Sequence, residues 1–128
     1  MIPSLLLSFN RTGSLYDLTI EQLIRGDADC AIVDVVLTEL LQGIKNEREF
    51  KTVRDSLLTF PILSLKSSAS YIQAADLYRT CRKKGLTVRS SVELLIAQTA
   101  IENNASLLHN DRDFEAIAHV SSLKLYSV

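Results

Sequence analysis

The fold is most clearly indicated by the stretch Leu107-Leu108-His109-Asn110-Asp111-Arg112-Asp113-Phe114. Residues 106 to 109 are apolar enough for a short buried strand, and two carboxylates follow that strand directly. In open α/β sheets, functional sites form beyond the carboxyl ends of the strands. The stretch therefore predicts an α/β fold with an acidic site at the edge of the sheet where Asp111 lies.

Outward from this stretch, apolar segments with strand and helix spacing alternate along the chain. The predicted strands are 3–9, 31–33, 62–65, 106–109 and 123–126, and the predicted helices are 15–25, 35–43, 46–59, 68–84, 91–102 and 113–118. Gly26 and Gly85 are interpreted as helix ends, and residues 10 to 14 as a turn. Such alternation predicts a three-layer α/β/α domain whose central sheet is mostly parallel and covered on both faces. With 128 residues, the chain is expected to form a single domain over residues 1–128.

The composition restricts the kind of protein. Hydrophobic residues make up 47% and charged residues 23%, which is typical of a globular protein, and the net charge of −1 argues against a purely electrostatic nucleic-acid binder. Cys30 and Cys81 have no metal-ligand spacing and are expected to be free thiols, which fits a reducing cytoplasm. No segment has the roughly 20 apolar residues that cross a bilayer, so no membrane association is expected.

Three carboxylates are expected to converge on one edge of the sheet. Asp111 follows a predicted strand, Glu39 follows the strand at 31–33 by a short helical step, and Glu93 lies near the start of its helix. Three carboxylates in one place repel one another unless a cation neutralises them, and oxygen ligands suit Mg²⁺ or Mn²⁺. The alternative is that Glu39 and Glu93 are ordinary first-turn helix acids and that Asp111 and Asp113 cap the short helix that follows.

Basic residues precede Glu93 and also allow two interpretations. The run consists of Arg79, Arg82, Lys83, Lys84 and Arg89. It either forms a cationic rim for phosphates beside the acids or is a solvated helix end near the C-terminal dipole. His109 is expected to steady the end of its strand rather than to act as a general base.

Three segments together resemble the PIN-domain ribonucleases, specifically the VapC-type toxins of toxin–antitoxin pairs. They are 34–43 (DVVLTELLQG), 84–97 (KGLTVRSSVELLIA) and 108–114 (LHNDRDF), in the family's order and spacing. The resemblance implies a PIN-like fold and Mg²⁺- or Mn²⁺-dependent cleavage of RNA. It also implies a homodimer and inhibition by a cognate antitoxin protein. By position, it makes Glu39, Glu93 and Asp111 the catalytic metal ligands, with Asp113 as a supporting ligand.

The chain departs from the family pattern at two places. The family's first strand ends in an Asp that binds metal, whereas residues 3 to 8 (PSLLLS) contain no acid, and Asp17 falls in the next predicted helix. Glu93 stands where the family usually has Asp. Truncation or decay of the N-terminus is one hypothesis for the missing acid, and an Asp introduced at Leu5 or Leu6 is expected to increase Mn²⁺ affinity. The rival interpretation is a catalytically impaired PIN-fold binding module, and a phosphatase or DNA nuclease on the same site is a third alternative.

Overall fold

A computed structural model describes residues 5–8, 29–109 and 111–126 of the chain. In this part of the chain, one parallel sheet contains β1 (Leu5–Ser8), β2 (Cys30–Val33), β3 (Ile62–Leu63), β4 (Ser106–His109) and β5 (Lys124–Leu125). The strand order is β3-β2-β1-β4-β5, and each neighbouring pair is parallel. The predicted mostly parallel α/β sheet is therefore confirmed. Its carboxyl ends share one edge, which is where a site is expected.

The described helices lie in the connections that follow β2. They are α1 (Asp34–Leu41), α2 (Glu47–Leu57), α3 (Ser68–Lys83), α4 (Ser91–Glu102) and α5 (Asp113–His119). Side-chain caps define the starts of two helices. The Asn46 side chain accepts a hydrogen bond from the Glu49 backbone N–H, and the Ser90 hydroxyl accepts one from the Val92 backbone N–H. Gly85 follows α3 with a φ of +72°, the left-handed conformation that favours glycine after a helix.

The core lies on both faces of the sheet. Leu107 and Leu108 are neighbours in β4, so their side chains point to opposite faces, and both are fully buried. All four residues of β2 are also buried. Helix α4 covers part of the sheet with Leu94, Ile96, Ala97 and Ala100, and all of these are almost fully buried. Burial on both faces confirms the predicted covered sheet.

The register of β1 determines which of its residues lies at the acidic edge. β1 lies at the centre of the sheet, and Ser8 pairs with His109, the last residue of β4. Leu5 pairs with Ser106, the first residue of β4, and Leu6 pairs with Leu107, so neither lies at the carboxyl edge. An Asp at Leu5 or Leu6 would therefore lie away from the acids, contrary to the expectation from the sequence. The position in β1 that lies at the carboxyl edge is Ser8.

Other differences concern the edge strands and the N-terminal region. The predicted strands 62–65 and 123–126 are shorter in the structure, because β3 and β5 each pair with a single neighbour over two residues. The predicted turn at 10–14, the helix at 15–25 with Gly26, and the position of Asp17 lie outside the described residues. Within the described ranges, every helix is too short or too polar to span a membrane.

Candidate functional site

Three separate elements deliver the predicted acids to the carboxyl edge of the sheet. Helix α1 starts directly after β2 and carries Glu39, which is half-buried. Glu39 lies in the last turn of α1, so the interpretation of Glu39 as a first-turn helix acid is wrong. Glu93 lies in the first turn of α4 and is only 8% exposed. Asp111 follows β4 by two residues, and its side chain is 21% exposed. These positions follow from the parallel topology. The carboxyl ends of all strands lie at one edge of the sheet, and the segments that carry the three acids lie at that edge.

The two glutamates of the candidate site have raised pKa values. Burial is the main cause that raises the pKa of Glu39, and the charges of Glu93 and Asp111 raise it further. Burial also raises the pKa of Glu93, with further contributions from Asp111 and Asp113, while the Glu93 backbone N–H and the Ser90 hydroxyl partly oppose this rise. Glu39 and Glu93 are thus each close enough to other carboxylates for the charged form to be disfavoured, and a bound cation would relieve this repulsion.

The Glu93 carboxylate contains the polar atom that most needs a partner. Its Oε2 atom is buried and has no hydrogen-bond partner within the described part of the chain. Such atoms are rare in folded proteins, and a bound ion is one of the accepted explanations. A buried charge without a partner costs free energy, whereas a divalent cation would both neutralise it and use its free lone pairs.

The residue types suit a hard divalent ion, because carboxylates offer only oxygen ligands. Within residues 5–8, 29–109 and 111–126, however, no group of three or more His, Cys, Asp or Glu side chains is placed to hold a metal ion. Mg²⁺ is usually held by one or two carboxylates and completed by waters and substrate phosphates. A pair drawn from Glu39, Glu93 and Asp111 is therefore compatible with such an ion in donor type.

Asp113 has a different environment from the other acids because it is tied to Arg89. The Arg89 backbone N–H donates to Asp113 Oδ2 at 3.0 Å, and Arg89 Nε lies 3.6 Å from Asp113 Oδ1. Arg89 Nη2 also lies 3.5 Å from Asp111 Oδ1. Asp113 is 6% exposed, so this contact fixes the segment before α4 against the start of α5. Asp113 is also close enough to Glu93 for its charge to act on that carboxyl.

Asp111 itself organises the start of α5. Its Oδ1 accepts from the Asp113 backbone N–H at 2.9 Å, so Asp111, rather than Asp113, provides the side-chain hydrogen bond at the start of this helix. The Asp111 backbone N–H donates to His109 Nδ1 at 3.2 Å. The His109 ring packs edge-on against Phe114 with centroids 5.2 Å apart, and burial lowers the pKa of His109. A neutral ring that accepts from the backbone steadies the strand end.

The predicted basic run divides into separate contacts. Arg79 pairs with Asp76 at 3.1 Å, and Arg82 donates to the Tyr78 hydroxyl at 3.1 Å, so both serve α3. Within the described residues, Arg89 is the member of this run that contacts the acids. Sequence reasoning did not single out Arg112, which lies in a groove beside Arg89. Its position between Asp111 and Asp113 in the chain was the available signal.

Solved structures and relatives of known family share this architecture. VapBC2 from Rickettsia felis, bound to a DNA fragment from its promoter, has a TM-score of 0.70 at 24% identity and covers 95% of this chain and 97% of that chain. VapBC-1 from nontypeable Haemophilus influenzae has a TM-score of 0.70 at 17% identity, with 96% and 97% covered. These similarities show the same fold.

Sequence comparisons identify the family. The PIN domain model matches residues 4–120. Ribonuclease VapC11 from Mycobacterium tuberculosis and VapC ribonuclease Mb1587 from Mycobacterium bovis are each 31% identical over 120 residues, which covers 93% of this chain and 90% of each relative. Ribonuclease VapC17 from Mycobacterium tuberculosis is 31% identical over 94 residues. The chain therefore belongs to the PIN-domain family and, within it, to the VapC ribonucleases.

Proposed function

We propose that this chain is a metal-dependent endoribonuclease and the toxin of a type II toxin–antitoxin system. Its relatives are named ribonucleases, and they match over nearly the whole chain. The observation that carries the proposal concerns Glu93 Oε2, a buried atom without a hydrogen-bond partner among the described residues. The charges of Glu93 and Asp111 both act on Glu39, so the three carboxylates lie near one another. Bound Mg²⁺ or Mn²⁺ would supply activation of a water and stabilisation of the charge that develops on the phosphodiester.

The protein residues divide the remaining work between holding and orienting. Glu39, Glu93 and Asp111 would hold the ion, and Asp113 would support them through its contact with Arg89, which also contacts Asp111. The neutral His109 ring accepts a hydrogen bond from the Asp111 backbone N–H. This bond fixes the backbone of Asp111 at the end of β4 and so helps to position its carboxylate. Arg89 places a positive charge beside the acids, where an approaching phosphate would otherwise meet only negative charge.

The proposal extends to partners and compartment. Solved structures with this fold include VapBC complexes from two bacteria, which supports a cognate antitoxin as a partner of this chain. We also propose a homodimer and a cytoplasmic location. The two buried free thiols support a reducing compartment.

RNA cleavage tests the function directly. Purified chain is incubated with RNA in Mn²⁺ or Mg²⁺, in EDTA, and as the Asp111→Ala variant. Asp76→Ala is the matched control, because Asp76 is an exposed acid on α3 that pairs with Arg79. We expect cleavage that requires both metal and Asp111 and is unaffected at Asp76. Cleavage that persists in EDTA or in Asp111→Ala would contradict the carboxylate mechanism.

The rival function is a PIN-fold binding module without nuclease activity. It is favoured by the absence of an acid at the carboxyl end of β1, where Ser8 lies beside His109. Folded protein that binds a partner but leaves RNA intact with either metal would support this rival. Duplex DNA and a phosphomonoester in the same assay test the DNA nuclease and phosphatase alternatives.

A further inference from the structure

We infer that a groove beside the acidic site binds a backbone phosphate of the RNA strand, next to the phosphate that the carboxylates receive. This inference rests on the proposed ribonuclease function. The groove has a volume of about 390 Å³ and lies between the segment that joins α3 to α4 and the start of α5. Its volume falls at the lower end of the roughly 300–1,000 Å³ found for ligand pockets.

The charged residues of the groove carry a net positive charge. The lining consists of Gly85, Leu86, Thr87 and Arg89 from the segment before α4 and of Arg112, Asp113 and Ala116 from the start of α5. It thus contains two guanidinium groups and one carboxylate, and both oxygens of that carboxylate are already approached by Arg89. The surplus positive charge at this groove contrasts with the net charge of −1 of the whole chain. An anion is therefore the ligand that fits its chemistry.

Arg112 is the residue of the groove whose hydrogen-bond donors are most available to a ligand. It is exposed, and among the described residues it takes part in no ion pair or side-chain hydrogen bond. A planar guanidinium with unused donors matches a phosphate with two parallel hydrogen bonds. Thr87 adds a hydroxyl that has no hydrogen-bond partner within the described residues. These donors surround a space into which a phosphate can enter from solvent.

Arg89 links the groove to the acids. Its side chain lines the groove while its Nη2 atom lies 3.5 Å from Asp111 Oδ1. A strand with one phosphate at Glu93 and Asp111 can therefore place a neighbouring phosphate beside Arg89 and Arg112. The groove accordingly holds an adjacent, uncleaved phosphate and positions the strand without reading its bases.

RNA binding without cleavage tests this inference. The affinity of a short, fluorescently labelled oligouridylate is measured by anisotropy in EDTA across a series of salt concentrations. We expect Arg112→Ala to weaken binding about three- to tenfold and to reduce the salt slope by about 0.7, as for one lost contact to a single strand. Arg112→Lys keeps the charge, so it should retain the slope even though its geometry differs.

A matched control removes a positive charge from the opposite edge of the sheet. Lys124 lies in β5 beside Ser106, the first residue of β4, and its Nζ atom donates to the Asn104 carbonyl. Lys124→Ala should leave both the affinity and the slope unchanged. An equal loss of RNA affinity in Lys124→Ala and Arg112→Ala would show that the overall charge of the protein, and not the groove, determines binding. That result would overturn the inference.

The outcomes separate this inference from the nuclease proposal. Unchanged RNA affinity and slope in a folded Arg112→Ala variant would overturn the groove, even if the wild type cleaves RNA. An Arg112-dependent slope in a chain that never cleaves RNA would support the groove and count against the nuclease. An acidic peptide that binds through Arg112 while RNA does not would assign the groove to a protein partner and also overturn the inference.

Discussion

A buried carboxylate oxygen without a hydrogen-bond partner carries a free-energy cost, and within the part of the chain that the structure describes Glu93 Oε2 is such an atom. The cost applies to the charged form, since burial raises the pKa of Glu93. The free-energy cost is fully present at pH values above the raised pKa of the folded protein. The cost is relieved as the pH falls through this raised pKa towards the ordinary pKa of the carboxyl in the unfolded chain. A bound divalent ion would relieve the same cost at neutral pH.

Replacement of Glu93 by Gln should therefore stabilise the metal-free protein. We expect an increase of about 1 kcal/mol in the free energy of unfolding, or about 4 °C in Tm. The same change should abolish any rise in Tm that Mn²⁺ or Mg²⁺ produces in the wild type. Calorimetry with and without metal measures both effects, and Glu47→Gln, an exposed acid on α2, is the control. A full metal-dependent rise in Glu93→Gln would exclude Glu93 as a ligand.

Ser8 is the residue at which a single added carboxylate should matter most. It ends the central strand β1 and pairs with His109, two positions before Asp111. We expect Ser8→Asp to increase Mn²⁺ affinity about tenfold or more, because carboxylate number tunes the affinity of oxygen-ligand sites. Isothermal titration calorimetry measures this gain. Ser106→Asp, at the other end of β4, is the control, and equal affinities for the two variants would contradict the edge position of Ser8.

At the scale of secondary-structure elements, the ends of the helices were predictable because their signals are local. Asn46, Ser90 and Gly85 each act within a few residues of the helix they delimit, through a cap or a left-handed backbone. The lengths of β3 and β5 were predicted too long, because pairing with a distant neighbour sets them. The strand content was thus readable from the sequence, whereas the strand ends depended on tertiary contacts.

The segment after α3 should be sensitive to backbone conformation alone. Gly85 has a φ of +72°, and a Cβ added there would meet no atom within 4 Å. Gly85→Ala should therefore lower the free energy of unfolding by about 1–2 kcal/mol through backbone strain, without any steric clash. Gly43→Ala is the matched control, because it also meets no atom but has no positive φ. Urea denaturation measures both, and equal effects would contradict the conformational explanation.

At the scale of the whole molecule, the reactivity of the two cysteines tests whether the core unfolds cooperatively. Cys30 in β2 and Cys81 in α3 are both buried, and burial raises the pKa of each thiol, with Asp29 adding to the effect at Cys30. Neither thiol should react with Ellman's reagent in the native protein, and both should react together across the urea transition. Cys30→Ser and Cys81→Ser identify each signal. Earlier reaction at Cys30 would show that this side of the sheet opens separately.

The candidate site was predictable in its residues but not in its connections. Glu93 and Asp111 could be proposed because Glu93 stands in the first turn of a helix and Asp111 just after a strand. Glu39 was proposed as an acid at a helix start, whereas it lies in the last turn of α1. The contact between Arg89 and Asp113 joins residues 24 positions apart, so no local pattern indicates it. The role of Ser8 likewise required the register of β1 against β4, which depends on how the whole sheet pairs.

The strand order also has a consequence for synthesis of the chain. β1 leaves the ribosome first, yet one of its two partners in the sheet is β4, near the other end of the chain. Domains tend to form from the N-terminus during translation, but here the central strand is paired on both sides only after β4 has been made. Asp111 follows β4 directly, so the third of the three candidate metal ligands is made just after the strand that completes the centre of the sheet. A chain that ends before β4 therefore lacks both the second partner of β1 and Asp111.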